Sequence, residues 1–305
     1  MSPDLYLLWI SIIHDMNTKK HLNTGDIMKV KELKKLSNYP EDKKMEIIAE
    51  GLNSLSSHVN EICKSIDKLS NEETQRGYHI LTNLCEEEAS KFLMLIDYVR
   101  YPHSAYSLRD KHIKNFYNHF SRCAYVDVYH SRPATWKDVC DHIYLISPEL
   151  FLDGPNDVDW IFRNRLIQNR EQRMYVDYIE IDGKHFWAGP EDIESRQLSF
   201  SCRSSRIINL IKIMAEAGFA SVESLKIIKN EWENFVLSPK THWLEVEGKN
   251  RKIAINILER TEYEFSPSKF NDLVKDWNFP LQIELTEKKV EETDLKNMQC
   301  FYKNK

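Results

Sequence analysis

Between Arg109 and Arg122 the chain carries two histidines, Asn115 and four cations within 14 residues. On one continuous helix, at about 100° per residue, His112 and His119 nearly superimpose because they are seven apart. Asn115 falls between them along the axis, and Arg122 follows His119 by three. These four form a polar strip beside an apolar face of Ile113, Phe116, Phe120, Cys123 and Ala124, while Arg109, Lys111 and Lys114 lie elsewhere around the helix. Such a strip suits phosphodiester cleavage without a metal. One imidazole takes the proton of a ribose 2′-hydroxyl, another group protonates the leaving oxygen, and a guanidinium holds the phosphate. The same strip also fits two satisfied histidines at a helix interface.

Two further features bear on chemistry. Glu88 falls inside an apolar arc with Leu81, Leu84, Phe92 and Leu95, where a carboxylate is costly unless paired. Lys91, His112, His119 or Arg122 can pair it; in a functional site Glu88 would orient a histidine. Its neighbours Glu86 and Glu87 are expected to point to solvent. Downstream, Arg163, Asn164, Arg165, Asn169, Arg170 and Arg173 interleave with Trp160, Phe162 and Tyr175. Cations among aromatics bind RNA by phosphate contact and stacking, although an ion-paired linker helix gives the same pattern.

The elements that must position these residues are mostly helices. After Tyr39-Pro40, apolar residues recur from Met45 through Ile48, Leu52, Leu55, Val59, Ile62 and Ile66 to Leu69 in steps of three and four, a long amphipathic helix. A second runs from Asn71 to about Arg100, stopped by Tyr101-Pro102. The third is expected over about 107–127, with Ser107 and Asp110 as a capping box, and the fourth over Thr135–Ile146. A helix over Val158–Arg173 then leads into a β-hairpin, because Asp182-Gly183 sits between the β-prone runs Met174–Ile181 and Lys184–Trp187. Helices return over Ser204–Ala217, Ser221–Leu237 and Trp243–Thr261, before a charged, frayed tail beyond Pro280.

With 305 residues, about two domains are expected. Only 8 glycines and 10 prolines argue against an all-β fold. A net charge of −5 confines any nucleic-acid role to a local basic patch. The six cysteines make no C-x-x-C pair and read as reduced, buried thiols of a cytoplasmic protein. The apolar run Leu5–Ile13 is too short for a span of about 20 residues, so no membrane role is expected, and Met16 is an alternative start. No P-loop, G-x-G-x-x-G, H-E-x-x-H, G-x-S-x-G or E-x-x-H occurs.

Three short runs carry a family resemblance: Ala49-Glu50-Gly51-Leu52-Asn53, Glu87-Glu88-Ala89-Ser90-Lys91 and Lys114-Asn115-Phe116-Tyr117-Asn118-His119. The region 49–122 resembles the AbiV abortive-infection proteins, a branch of the HEPN superfamily of helical bundles. The third run is similar to the R-N-x-x-x-H signature of HEPN ribonucleases. The resemblance implies a metal-independent ribonuclease or translation inhibitor, working as a homodimer with the signature helices facing across the interface. It makes His119 the catalytic histidine and Asn115 its polar neighbour. Lys114 stands where the signature has Arg, which loses the bidentate fork; Arg122 is placed to substitute.

The expected architecture is therefore mainly α. It has an N-terminal extension (1–37), a HEPN-like four-helix bundle (38–150), a linker helix with a hairpin (151–190) and a second helical domain (191–305). The leading function is anti-phage or toxin-type action on RNA (tRNA, mRNA or rRNA). In it His119 is the acid–base residue, with Asn115, Lys114, Arg122, His112 and Glu88 around it, and Arg109, Lys111, Arg163, Arg165, Arg170 and Arg173 bind RNA. No cofactor is expected. The alternative is a non-catalytic module that dimerises or binds a phage or host protein. A metal enzyme using His112, His119 and Glu88 is the third reading.

Overall fold

The computed structural model describes residues 30–69, 74–148, 151–152, 160–161, 164–181, 184–188, 205–260 and 265–291. The chain divides at Lys34, and all but the first five described residues belong to the second unit, 35–305. Most of the expected N-terminal extension lies outside the described residues.

Helix α1 (Glu41–Lys68) starts after Pro40 with Glu41 and Asp42 in its first turn, acids that suit the helix dipole. It buries the stripe Met45, Ile48, Leu52, Val59, Ile62 and Ile66 against α2 (Gln75–Val99). The two helices approach closely at Gly51, where a Cβ would come within 3.1 Å of Leu95 Cδ1. From Cys85 to Val99, α2 is buried on almost every side, as the apolar run through Phe92–Ile96 requires.

The third expected helix breaks. Helix α3 (Tyr106–His112) passes through a 3-10 turn, Ile113–Tyr117, to Asn118. There the backbone is extended (φ −100°, ψ 124°), and the side-chain oxygen accepts from Ser121 N, starting α4 (His119–Ser131). Asn favours this capping geometry over a helix interior. Ser107 does not cap α3; Asp110 accepts instead from Tyr98 Oη and Arg109 Nε. Thr135 and Asp138 form the capping box of α5 (Trp136–Ile146).

Beyond α5, strands β1 (Phe151–Leu152) and β2 (Trp160–Ile161) pair antiparallel. Helix α6 (Arg165–Gln172) is shorter than expected because Trp160 is in a strand and Asn164 is its cap. Asn164 is fully buried. Its Nδ2 donates to the Ile146 and Pro148 carbonyls, docking α6 on the end of α5. Strands β3 (Asp177–Ile181) and β4 (Lys184–Ala188) pair with Tyr178 opposite Trp187; the turn between them lies outside the described residues.

Helices α7 (Arg206–Glu216), α8 (Val222–Trp232), α9 (Trp243–Leu258) and α10 (Pro267–Asp276) complete a mainly helical chain. They do not form a separate domain over 191–305. α7 packs on α1, α2 and α4, and Asn53 Nδ2 of α1 donates to the Ala220 carbonyl. Nor are residues 281–291 frayed: Leu281 and Leu285 are buried, Ser121 Oγ donates to Leu285 O, and Lys288 N donates to Ser147 O; the rest of the expected tail lies outside the described residues. The described cysteines are free thiols, with Cys63 and Cys85 buried and Cys123 and Cys140 partly so. Among the described residues no helix is long and apolar enough to cross a membrane.

The join between α2 and the C-terminal helices is polar. Arg100 is fully buried and donates to Asp97 Oδ1 at 3.0 Å and to the Asn278 carbonyl at 2.9 Å. Removing one partner of a buried pair strands the other charge at a cost of about 3–5 kcal/mol. Arg100→Ala is expected to lower the free energy of urea unfolding by about that amount; an effect below about 1 kcal/mol would show that the pair is not holding the join.

Candidate functional site

Three side chains from two helices converge on the carboxylate of Glu87, in the buried half of α2. From the first turn of α4, His119 Nδ1 lies 2.8 Å from Oε2, and Arg122 donates to the same oxygen at 3.0 Å. From α6, Arg170 Nε donates to Oε1. The Asn118 cap fixes the start of α4, and Asn164 fixes α6, so both donors sit on anchored helices.

Glu87 is 5% exposed. Burial pushes its pKa up, but hydrogen bonds and charge from Arg170 and His119 outweigh it and hold the carboxyl below the usual range. Glu87 is therefore ionised at neutral pH and only accepts, so His119 Nδ1 carries the proton. That tautomer leaves Nε2 as the free lone pair on a side chain that is 50% exposed. One carboxylate against two guanidiniums (−1 + 2) leaves the cluster a charge of +1 before His119 is counted. An oriented, solvent-facing imidazole in a locally positive setting can exchange a proton with a bound anion.

Several sequence expectations change. Glu88 does not orient a histidine; it pairs with Lys91 on its own helix at 2.5 Å. Glu87, expected in solvent, takes that role, because helices pack around α2 on more than one side. Glu86 is only partly exposed, and burial pushes its carboxyl up against the pull of Ser205, His130 and Arg173.

The expected four-residue strip is not continuous, because the helix breaks at Asn118. His119 and Arg122 come together at Glu87, but His112 Nδ1 faces the Tyr101 hydroxyl. Burial raises the Tyr101 pKa, so this hydroxyl stays protonated and donates. His112 and Asn115 line a cavity of about 20 Å³, with Met94, Tyr98 and Phe116 among its walls, room for about one water. Burial lowers the His112 pKa to about 4, so it is neutral and already engaged. Lys114 is exposed on the 3-10 turn.

The expected RNA contacts divide as well. Arg109 is 2% exposed, paired with Glu41 at 3.2 Å and lying over the Tyr106 ring at 3.8 Å. It is a packing residue that a polyanion does not reach. Arg170 belongs to the Glu87 cluster. Lys111, Arg165 and Arg173 are exposed, Arg173 donating to Asn83 Oδ1 at 2.7 Å. Arg163 lies outside the described residues. Among those described, no group of three or more His, Cys, Asp or Glu side chains is placed to hold a metal ion, so His112, His119 and Glu88 are not gathered as the third reading requires.

The His112 shift has a stability consequence. Its folded pKa of about 4 lies below the 6.5 of an unfolded histidine, so the unfolded chain binds the proton first. The stabilisation is complete above about pH 6.5 and is lost as pH falls toward about 4, on the order of 3 kcal/mol. His112→Asn is expected to flatten that limb in urea unfolding at about pH 7 and about pH 4.5; an unchanged slope would place the titration elsewhere.

Compared with protein-family models, curated proteins and solved structures, the chain finds no match.

Proposed function

We propose that the chain is a metal-independent endoribonuclease of the toxin or abortive-infection type, acting through a HEPN-like helical bundle. The observation that carries this reading is the Glu87–His119 hydrogen bond at 2.8 Å, with the rest of the imidazole open to solvent. Glu87 fixes the tautomer and stabilises the imidazolium, as a carboxylate does for a general-base histidine. His119 Nε2 takes the proton of a ribose 2′-hydroxyl. The 2′-oxygen attacks phosphorus, a 2′,3′-cyclic phosphate forms, and the 5′-oxygen leaves after accepting a proton from a second acid. Arg170 and Arg122 supply the positive field that favours the dianionic transition state. Lys114 is the further cation that the HEPN resemblance assigns to the phosphate. The same resemblance supplies the homodimer and RNA as the substrate class.

A second reading is a non-catalytic module that binds a phage or host protein. What favours it is that Glu87 accepts from three side chains, a saturation that also suits a rivet between α2, α4 and α6.

The two readings separate on purified protein incubated with total RNA and tRNA, with and without EDTA. Cleavage that persists in EDTA is expected, with a loss of about 10²-fold or more in His119→Ala. Glu87→Gln is expected to retain the fold and lose about 10-fold or more. Cleavage untouched by His119→Ala removes the assignment, and absence of cleavage by the wild type selects the binding module.

A further inference from the structure

We propose that one face of the β3–β4 hairpin is a base-stacking platform for single-stranded RNA, delivering the strand to the His119 cluster; this rests on the ribonuclease reading above. Side chains alternate across a strand, so Tyr178, its partner Trp187, and His185 two residues before Trp187 share one face. Tyr178 and Trp187 are 55% and 69% exposed. Their ring centroids are 5.1 Å apart, tilted by 53°. The His185 ring lies 5.9 Å from Tyr178 and within 18° of parallel. Three aromatic rings thus line one exposed surface, the kind of patch that marks an interaction site.

Stacking and position select the occupant. Exposed rings accept the planar face of an unpaired base whatever its sequence. Arg173 is exposed and can meet a phosphate, whereas Lys184 projects from the opposite face by the same alternation. The hairpin is also rooted beside the candidate site. Arg173, four residues before β3, is bonded to Asn83 on α2, one turn before Glu87, or about 6 Å along the axis. Arg170, three residues earlier still, is on Glu87 itself. A strand lying across the rings is therefore led toward His119.

The test is the anisotropy of a fluorescein-labelled single-stranded oligouridylate. It is measured with the full chain in a His119→Ala background, so that the probe survives. Tyr178→Ala with Trp187→Ala is expected to weaken binding about ten-fold or more. Tyr178→Phe with Trp187→Phe, which keeps both rings, is expected to stay near the parent. Circular dichroism verifies that each variant is folded. Equal binding by all three proteins would overturn the platform, as would no binding by the parent, which leaves the face to a protein partner. Cleavage by the His119-bearing chain is scored separately. If it persists while ring dependence fails, only the platform falls. If binding depends on the rings and no His119-dependent cleavage occurs, the platform stands and the ribonuclease reading falls.

Discussion

The guanidinium of Arg100 lies between the rings of Trp232 and Trp277, 4.3 and 4.7 Å from their centroids, and the rest of the molecule is arranged around it. A fully buried cation is tolerated only when its charge and its N–H groups are met. Here Asp97 meets Nη1, the Asn278 carbonyl and Asn250 meet Nη2, Nε is left without a hydrogen-bond partner among the described residues, and two indole faces supply cation–π contact. Asp97 in turn accepts from Tyr125 Oη and from Leu281 N. One buried pair thereby ties α2 to α4, α8, α9 and the last described segment. The C-terminal helices cannot leave as a body without breaking these bonds and ring contacts, and residues 35–305 form one compact unit.

Two buried carboxylates ten residues apart on α2 have their pKa values displaced in opposite directions. At Asp97 burial prevails over the charge of Arg100 and over its hydrogen bonds, and the pKa rises. At Glu87 the guanidinium of Arg170 and the imidazole of His119 prevail over burial, and the pKa falls. The difference lies in what surrounds the donors. Those of Asp97, from Arg100 and Tyr125, are themselves buried, and the Asp97–Arg100 pair holds helices together. At Glu87 one donor is half open to water, so an ionised carboxylate inside is coupled to an imidazole outside.

Much of this was legible in the sequence wherever one face of an element decides its packing. The stripe of α1 from Met45 to Ile66 was readable because one side of that helix meets the core. The Thr135 cap was readable because capping is local. Period-based reading failed on α2, where Ser90, Leu93 and Met94 are buried together with the expected seam of Cys85, Ala89, Phe92 and Ile96. A helix enclosed on several sides has no solvent face against which to rank Glu87 and Glu88. The apolar density of Phe92–Ile96 was the available signal. The break at Asn118 was signalled too, because Asn favours a cap over a helix interior. Helix α10 carried the same kind of signal in Ser266-Pro267, a cap followed by proline at the first position. The polar staple of Arg100 was not legible, since its partners stand 150 and 178 residues away.

The break at Asn118 also constrains any mechanism at Glu87. On an unbroken helix, His112 and His119 would share a strip and one chain would offer both a base and an acid. In the folded chain His112 is held by Tyr101 beside a small cavity, and His119 is the one imidazole bonded to Glu87 among the described residues. A phosphodiester cleavage that removes a proton from the 2′-oxygen and adds one to the 5′-oxygen needs two proton-transfer groups in place together. Arg122 and Arg170 cannot serve, because a guanidinium stays charged at any pH at which the protein is folded. The second group on the ribonuclease reading must therefore come from beyond this cluster. A second copy, set with its own α4 facing the first, would bring an imidazole already oriented by its own Glu87. A dimer of this kind would be one way to complete the proton inventory, independent of any need for added stability.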